Sequence, residues 1–227
     1  LNMDKWIEAV LSHSPLDEPS MKYLRGRGVD RESSIQFYTW KPSETPAPCA
    51  RFTHHFGAHG QKIKGSLVTP IRSPRGSILG FEARRWDKDG SKSVRQYRTD
   101  RAEWNPYILG AERAFQALWD NGDLWIVEGI FDLIALEKVI PSCDAVCSTL
   151  RAGMDLSTLT MLSRFYRKAS TIYIAYDNDE TGRKKGEWLA HKMTTLGMRA
   201  VLYKYRGKDP NEVWTQGGER LMRQTFY

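Results

Sequence analysis

From Leu124 onward short apolar runs alternate with longer helical patterns, and this alternation leaves the second half of the chain very few folds to adopt. Runs 124–127, 145–148, 171–175 and 199–203 read as strands, with helices predicted over 130–139, 155–168 and 180–196. Strands that are apolar along their whole length and joined by helical crossovers call for a parallel sheet covered on both faces. Ligands of such sheets sit at the carboxyl ends of the strands, where the strand order reverses.

The residues at those ends are acidic. The run 124–127 leads into Glu128-Gly129, with Asp132 at the start of the following helix. The run 171–176 delivers Asp177-Asn178-Asp179, after which Glu180-Thr181-Gly182-Arg183 opens a helix. Lys208-Asp209-Pro210-Asn211 follows the last strand and precedes a short helix. Carboxylate oxygens are hard ligands that suit Mg²⁺ or Mn²⁺, and two-metal phosphodiester chemistry needs such a cluster. Acids at these positions also cap helices, where they satisfy free amides and the helix dipole. Their common place at the mouth of one sheet, opposite a basic segment, favours the metal.

The basic segment lies upstream. The 227-residue chain has a formal net charge of +7 and a pI near 9.3. Residues 41–118 contain 14 Lys/Arg against 7 Asp/Glu, an excess equal to that of the whole chain. That balance points to a polyanionic partner. Within the segment, 67–72, 77–84 and 94–99 are strand-like, and Ser73-Pro74-Arg75-Gly76 makes the first two a hairpin. Ahead of it come short helices over 3–12 and 18–25, the second stopped by Gly26-Arg27-Gly28, and a helical turn from Asp30. They read as a lid or scaffold. Residues 41–48 (KPSETPAP) read as a loop.

Several classes are excluded. Hydrophobic residues at 41% and aromatics at 11% do not fit a disordered chain. No apolar run is long enough to span a membrane, and Asp4, Lys5 and Glu8 interrupt any signal peptide. Three cysteines with no CxxC pair fit neither a disulfide framework nor a zinc ribbon, so a cytoplasmic setting is expected. Cys49 with His54, His55 and His59 has no recognised ligand spacing. Trp40, Trp86 and Trp104 lie in or beside the basic segment, where they either stack on bases or pack the lobe.

Glu128-Gly129-Ile130-Phe131-Asp132 and the run from Asp177 to Arg183 resemble the two signatures of a TOPRIM domain, E-G-x-x-D and D-x-D-x-x-G-R. Over most of its length the chain resembles the RNA polymerase core of DnaG-type bacterial and phage primases. Tyr23-Leu24-Arg25-Gly26-Arg27-Gly28 is similar to that family's helix-ending element, and Pro70-Ile71-Arg72, Gly76, Gly80-Phe81 and Arg84 to its hairpin motif. Val146 to Leu150 and Lys208-Asp209-Pro210 stand where the family has its later motifs.

The resemblance implies an α/β protein with a basic mixed α+β lobe over 1–120, a TOPRIM domain over 121–207 and a helical tail over 208–227. It implies synthesis of short RNA primers from NTPs on single-stranded DNA, with two or more Mg²⁺ or Mn²⁺ ions and no zinc in this chain. Glu128, Asp177, Asp179 and Asp209 would hold the metals, and Glu128, Asp132, Asp177 and Asp179 would form the catalytic set. Arg72, Arg84, Arg95, Arg98, Arg183 and Lys208 would contact nucleic acid or nucleotide, guanidinium being suited to bidentate phosphate binding. The resemblance also implies a replicative helicase as partner, through missing or separate domains. Three departures stand out. Arg95-Gln96-Tyr97-Arg98 replaces a family lysine strand, a second lysine near Ile108-Leu109-Gly110 has no counterpart, and Asn211 stands where the family has an aspartate. A TOPRIM nuclease and a non-catalytic nucleic-acid-binding protein are the alternatives.

Overall fold

A computed structural model describes residues 3–12, 14–30, 33, 35–41, 63–86, 92–98, 107–117, 122–150, 154, 156–166 and 168–226. The 41–48 loop beyond Lys41, the Cys49/His54/His55/His59 group and Trp104 lie outside them, as does most of the turn expected from Asp30.

The amino-terminal part opens with α1 (Met3–Ser12) and α2 (Glu18–Gly26). Asp17 starts α2 by accepting the Ser20 amide at 2.9 Å, satisfying one of the unpaired donors of the first turn. The Asp17 amide donates to Thr39 Oγ1 (3.0 Å), whose hydroxyl donates to Ser20 Oγ (2.9 Å), so the cap also ties α2 to the sheet. Strands β1 (Tyr38–Thr39), β2 (Leu67–Arg72), β3 (Ile78–Trp86) and β4 (Lys92–Arg98) form an antiparallel sheet in chain order. The expected hairpin joins β2 to β3. The Ser73 amide donates to Ser77 O and the Gly76 amide to Ser73 O, both at 2.8 Å, with Gly76 at φ 85°, a left-handed conformation open to glycine.

The second half carries α3 (Ala111–Ala117), β5 (Leu124–Val127), α4 (Ile130–Glu137), β6 (Ala145–Ser148), α5 (Leu156–Phe165), β7 (Ile172–Ala175), α6 (Glu180–Thr195), β8 (Ala200–Leu202) and α7 (Pro210–Phe226). Its four strands are parallel in the order β6-β5-β7-β8. The chain steps outward from β5 to β6, then returns to the other side of β5 for β7 and β8. The reversal therefore lies between β5 and β7.

Alternate residues of the central strands enter different cores, as a sheet covered on both faces requires. Leu124, Ile126, Ile172 and Ile174 pack with Leu159, Leu162, Leu189 and Met193 of α5 and α6. Trp125, Val127 and Ala175 pack with α4 and with Val213, Met222 and Phe226 of α7. That second core continues into Leu24 of α2 and Leu67, Ile71 and Leu79 of β2 and β3. The two sheets thus share one apolar interior. The other face of the antiparallel sheet closes on Ile7 and Leu11 of α1, with Trp40 stacked on Phe81 at 5.4 Å. Trp40 is 1% exposed and is a packing residue.

The structure departs from the sequence reading at two points. The short helix expected after Asn211 is followed by a second one: α7 spans Pro210–Phe226 but its backbone breaks at Gly218 (φ 57°, ψ −153°). The short elements α3 and β1 were not anticipated. Among the described residues no helix is long and apolar enough to cross a membrane.

Burial alone would raise the Asp17 carboxyl, but bonds from Ser20 and Thr39 outweigh it and hold the group below its ordinary range. Replacing Asp17 by Ala is expected to cost about 1 kcal/mol of unfolding free energy in a urea titration at pH 7. The deficit should shrink as acid protonates the wild-type cap. An unchanged midpoint would remove Asp17 from the account.

Candidate active site

The carboxyl ends of β5 and β7, the strands flanking the reversal, lead into Glu128 and Asp177. Each strand end is followed by a glycine that lets a helix start close by. The Gly129 amide donates to Asp132 Oδ2 (3.1 Å), and a side chain at Gly129 would put its Cβ 2.6 Å from that oxygen. A Cβ at Gly182 would lie 2.1 Å from the Asp177 carbonyl oxygen, so the start of α6 packs directly on the strand that carries Asp177. The two glycines of the sequence signatures are steric requirements of the acidic residues beside them.

Asp179 is the N-cap of α6, with Oδ1 accepting the Gly182 amide at 2.7 Å. Asp209 does the same for α7 through the Glu212 amide, also at 2.7 Å. Capping and ligation need not exclude one another, because each carboxylate has its second oxygen left. Asp132 is buried, with Oδ1 accepting the Asn211 amide (3.1 Å) and Oδ2 that of Gly129. Among the described residues no hydrogen-bond donor reaches the half-buried Asp177 carboxylate.

The electrostatics bring these acids together. Burial, then the charges of Asp209 and Asp179, push the Asp177 carboxyl up to about 6, and Lys208 opposes the rise. Burial also raises Asp132, with Asp209 and Asp177 adding to it and the Asn211 and Gly129 amides pulling it back. The Tyr205 hydroxyl is raised by burial and by Asp132, Asp177, Asp209 and Glu128 together, which places it near all four. It donates to Tyr176 O (2.8 Å) and approaches Lys208 O (3.3 Å), pinning the Asp209 loop to the end of β7. The Asn178 amide adds a 2.6 Å bond to Lys208 O. Tyr205 was missed in the sequence, where nothing but its place four residues before Asp209 marks it.

As the side chains stand, no three Asp, Glu, His or Cys among the described residues converge tightly enough to grip an ion. The donor set nevertheless fits a hard divalent cation: oxygen ligands, a second oxygen on each cap, and carboxyls whose raised affinity for protons marks uncompensated negative charge.

The expected cationic residues divide. Lys208 is exposed and its charge is felt at Asp177. Arg183 donates to the Asn178 carbonyl (2.7 Å) and side chain (3.2 Å), steadying the loop between the two aspartates. Arg84 pairs with buried Glu82 (3.1 Å), and its guanidinium lies 5.1 Å from the centre of the Phe131 ring. Phe131 precedes Asp132, so β3 reaches the acidic site through that ring. Arg72 is held by the Gly76 carbonyl and Glu8 at the hairpin turn. Arg98 is exposed and stacks 4.3 Å over Tyr107. Arg95 lies in β4, and its side chain is outside the described part.

The Tyr23–Gly28 element docks on the same region. Arg27 stacks over Phe131 at 4.5 Å, and Asn211 Nδ2 donates to the Arg27 carbonyl (2.9 Å). Lys138 Nζ donates to Gly28 O (3.1 Å), and a Cβ at Gly28, φ 74°, would strike Trp214. The end of α2 is scaffold for the site, whereas α1 packs on the other face of the antiparallel sheet.

Residues 123–220 match the Toprim domain family. A DNA primase of Aquifex aeolicus is 28% identical over 160 residues, covering 70% of this chain and 31% of the relative. The crystal structure of the Aquifex aeolicus primase zinc-binding and RNA polymerase domains superposes with a TM-score of 0.71 at 20% identity, covering 97% of this chain and 60% of that one. The chain is similar to DNA primases in sequence and to DnaG catalytic cores in fold. A DnaG catalytic domain bound to single-stranded DNA has the same fold, with a TM-score of 0.66 at 19% identity over 97% of this chain and 78% of that one. This chain spans about a third of the length of the Aquifex primase it matches. The parallel sheet and its acidic strand ends lie within the matched region.

A pH titration tests the crowding of the acids. With its folded value raised to about 6 from 3.8, Asp177 holds its proton more tightly when folded, so its ionisation lowers stability as pH climbs through that window. Asp177→Asn should therefore raise the melting temperature in chelator at pH 8, and the gain should fade by pH 4. A variant less stable than wild type at pH 8 would show that Asp177 is compensated.

Proposed function

We propose that this chain is the catalytic core of a DNA primase, a metal-dependent nucleotidyltransferase that makes short RNA on single-stranded DNA. The observation that carries the reading is the gathering of Asp132, Asp177 and Asp209, with Tyr205 among them, at the strand-order reversal of a Toprim sheet whose core continues into an arginine-bearing antiparallel sheet. The names of the relatives support it.

Asp177, Asp179 and Asp209 are the proposed metal ligands, with Glu128 as a further ligand or base. When bound there, Mg²⁺ or Mn²⁺ would lower the charge barrier for attack of a 3′-hydroxyl on an α-phosphate with loss of pyrophosphate. The chain's own residues supply the frame. Asp132 holds the start of α4 beside Glu128 through the Gly129 amide and ties it to the start of α7 through the Asn211 amide. Arg183 and Tyr205 fix the loops that present the three aspartates. Lys208 and the exposed Arg98 are proposed to meet phosphates, Arg95 to act beside Arg98, and Arg84 and Arg72 to shape the facing sheet. We assign residues 1–120 to the basic lobe, 121–207 to the Toprim domain and 208–227 to the tail. A bacterial cytoplasm, including that of a phage-infected cell, is the proposed setting, with a replicative helicase engaged through regions outside this sequence.

The direct experiment supplies single-stranded DNA, labelled ribonucleotides and Mg²⁺ or Mn²⁺. Oligoribonucleotides should form, and Asp177→Asn should abolish them. Cleavage of the DNA instead would identify a nuclease, and binding without synthesis a binding protein. DNA affinity should fall with salt at a log–log slope of roughly −0.7 per phosphate neutralised. A flat response would remove the basic lobe from the template path.

A further inference from the structure

Asn211 occupies the position at which the resemblance leads one to expect an aspartate, and its surroundings explain the amide. The residue is 3% exposed and bonds to two distant segments, 79 and 184 positions before it. Its backbone N–H donates to Asp132 Oδ1 at 3.1 Å, while its side-chain Nδ2 donates to the Arg27 carbonyl at 2.9 Å. An ionised aspartate could not make the second bond: it would set a carboxylate oxygen against a carbonyl oxygen, with another carboxylate beside it. The Arg27 side chain closes the loop by stacking on Phe131, the neighbour of Asp132.

We propose that Asn211 is a positioning residue, not a weakened metal ligand: it locks the end of α2 to Asp132 and so fixes the spacing of the Asp132 and Asp209 segments around the acidic site. The Glu212 amide held by Asp209 lies one residue beyond the Asn211 amide held by Asp132, so one helical turn sets both carboxylates. Displacing Asn211 moves both. Groups that orient metal-binding carboxylates through hydrogen bonds typically contribute 10- to 100-fold to metal affinity.

This inference rests on the acidic cluster binding metal, and its test needs no primer synthesis. Mn²⁺ affinity is measured by water-proton relaxation on wild type, Asn211→Asp and Asn211→Ala, with thermal melts confirming that each is folded. Both variants should bind Mn²⁺ about 10-fold more weakly or worse, and backbone amides of residues 27–29 should exchange faster with deuterium. Tighter Mn²⁺ binding by Asn211→Asp would make position 211 a ligand site and overturn the proposal, and unchanged affinity would reduce Asn211 to a packing residue. If neither variant folds, the wild-type carboxamide protons of Asn211 decide by NMR: slow exchange supports the Arg27 bond and free exchange refutes it. Failure of wild type to bind Mn²⁺ would refute the metal reading, while the exchange data would still report on the bond.

Discussion

Burial of carboxyl groups beside one another is the constraint around which this structure is arranged. Asp177 and Asp132 both resist ionisation because they are buried beside other acids. A fold left to optimise stability would separate them, since like charges in a partly dry site interact far more strongly than in water. Here each is held in place by a backbone device. The Gly182 turn presses on the Asp177 carbonyl, two amides grip Asp132, and the first turns of α6 and α7 take one oxygen each from Asp179 and Asp209. Stored electrostatic cost offset elsewhere is a mark of a working site.

The cost is offset across the whole molecule. One apolar core links the parallel sheet to the antiparallel sheet, and its polar margin holds Arg27, Arg84 and Lys138 against Phe131 and Trp214. Cationic groups on aromatic rings beside a negative site add attraction without joining the carboxylates directly. The end of α2 thereby borders the candidate site although none of its side chains is an expected ligand.

Much of this was legible in the sequence because the informative signals are local. Strands β5, β6 and β7, the hairpin turn and the acidic strand ends follow from short apolar runs set between helical patterns, from turn residues and from strand-end position. The glycines at 129 and 182 stood in the motifs, but only the geometry gave them a reason. The capping and metal readings of Asp179 and Asp209, set against each other in the sequence, turn out to be compatible, with one oxygen committed to each helix. What stayed hidden depends on distant partners or on tolerance. Asn211 and Arg27 meet across 184 positions, Tyr205 has meaning only through the loop it pins, and the helical stretch beyond Gly218 is held by the burial of Met222 and Phe226. Arg72 and Arg84 carried the right charge but are held by Glu8, Gly76 and Glu82, contacts that no motif announces.

The central claim is that the repelling acids are the seat of a divalent cation. Crystals grown with Mn²⁺, with data collected on the high-energy side of the manganese absorption edge, test it most directly. The account predicts an anomalous peak bounded by Asp177 and the free oxygens of Asp179 and Asp209. A peak elsewhere, or none at saturating Mn²⁺, would contradict it.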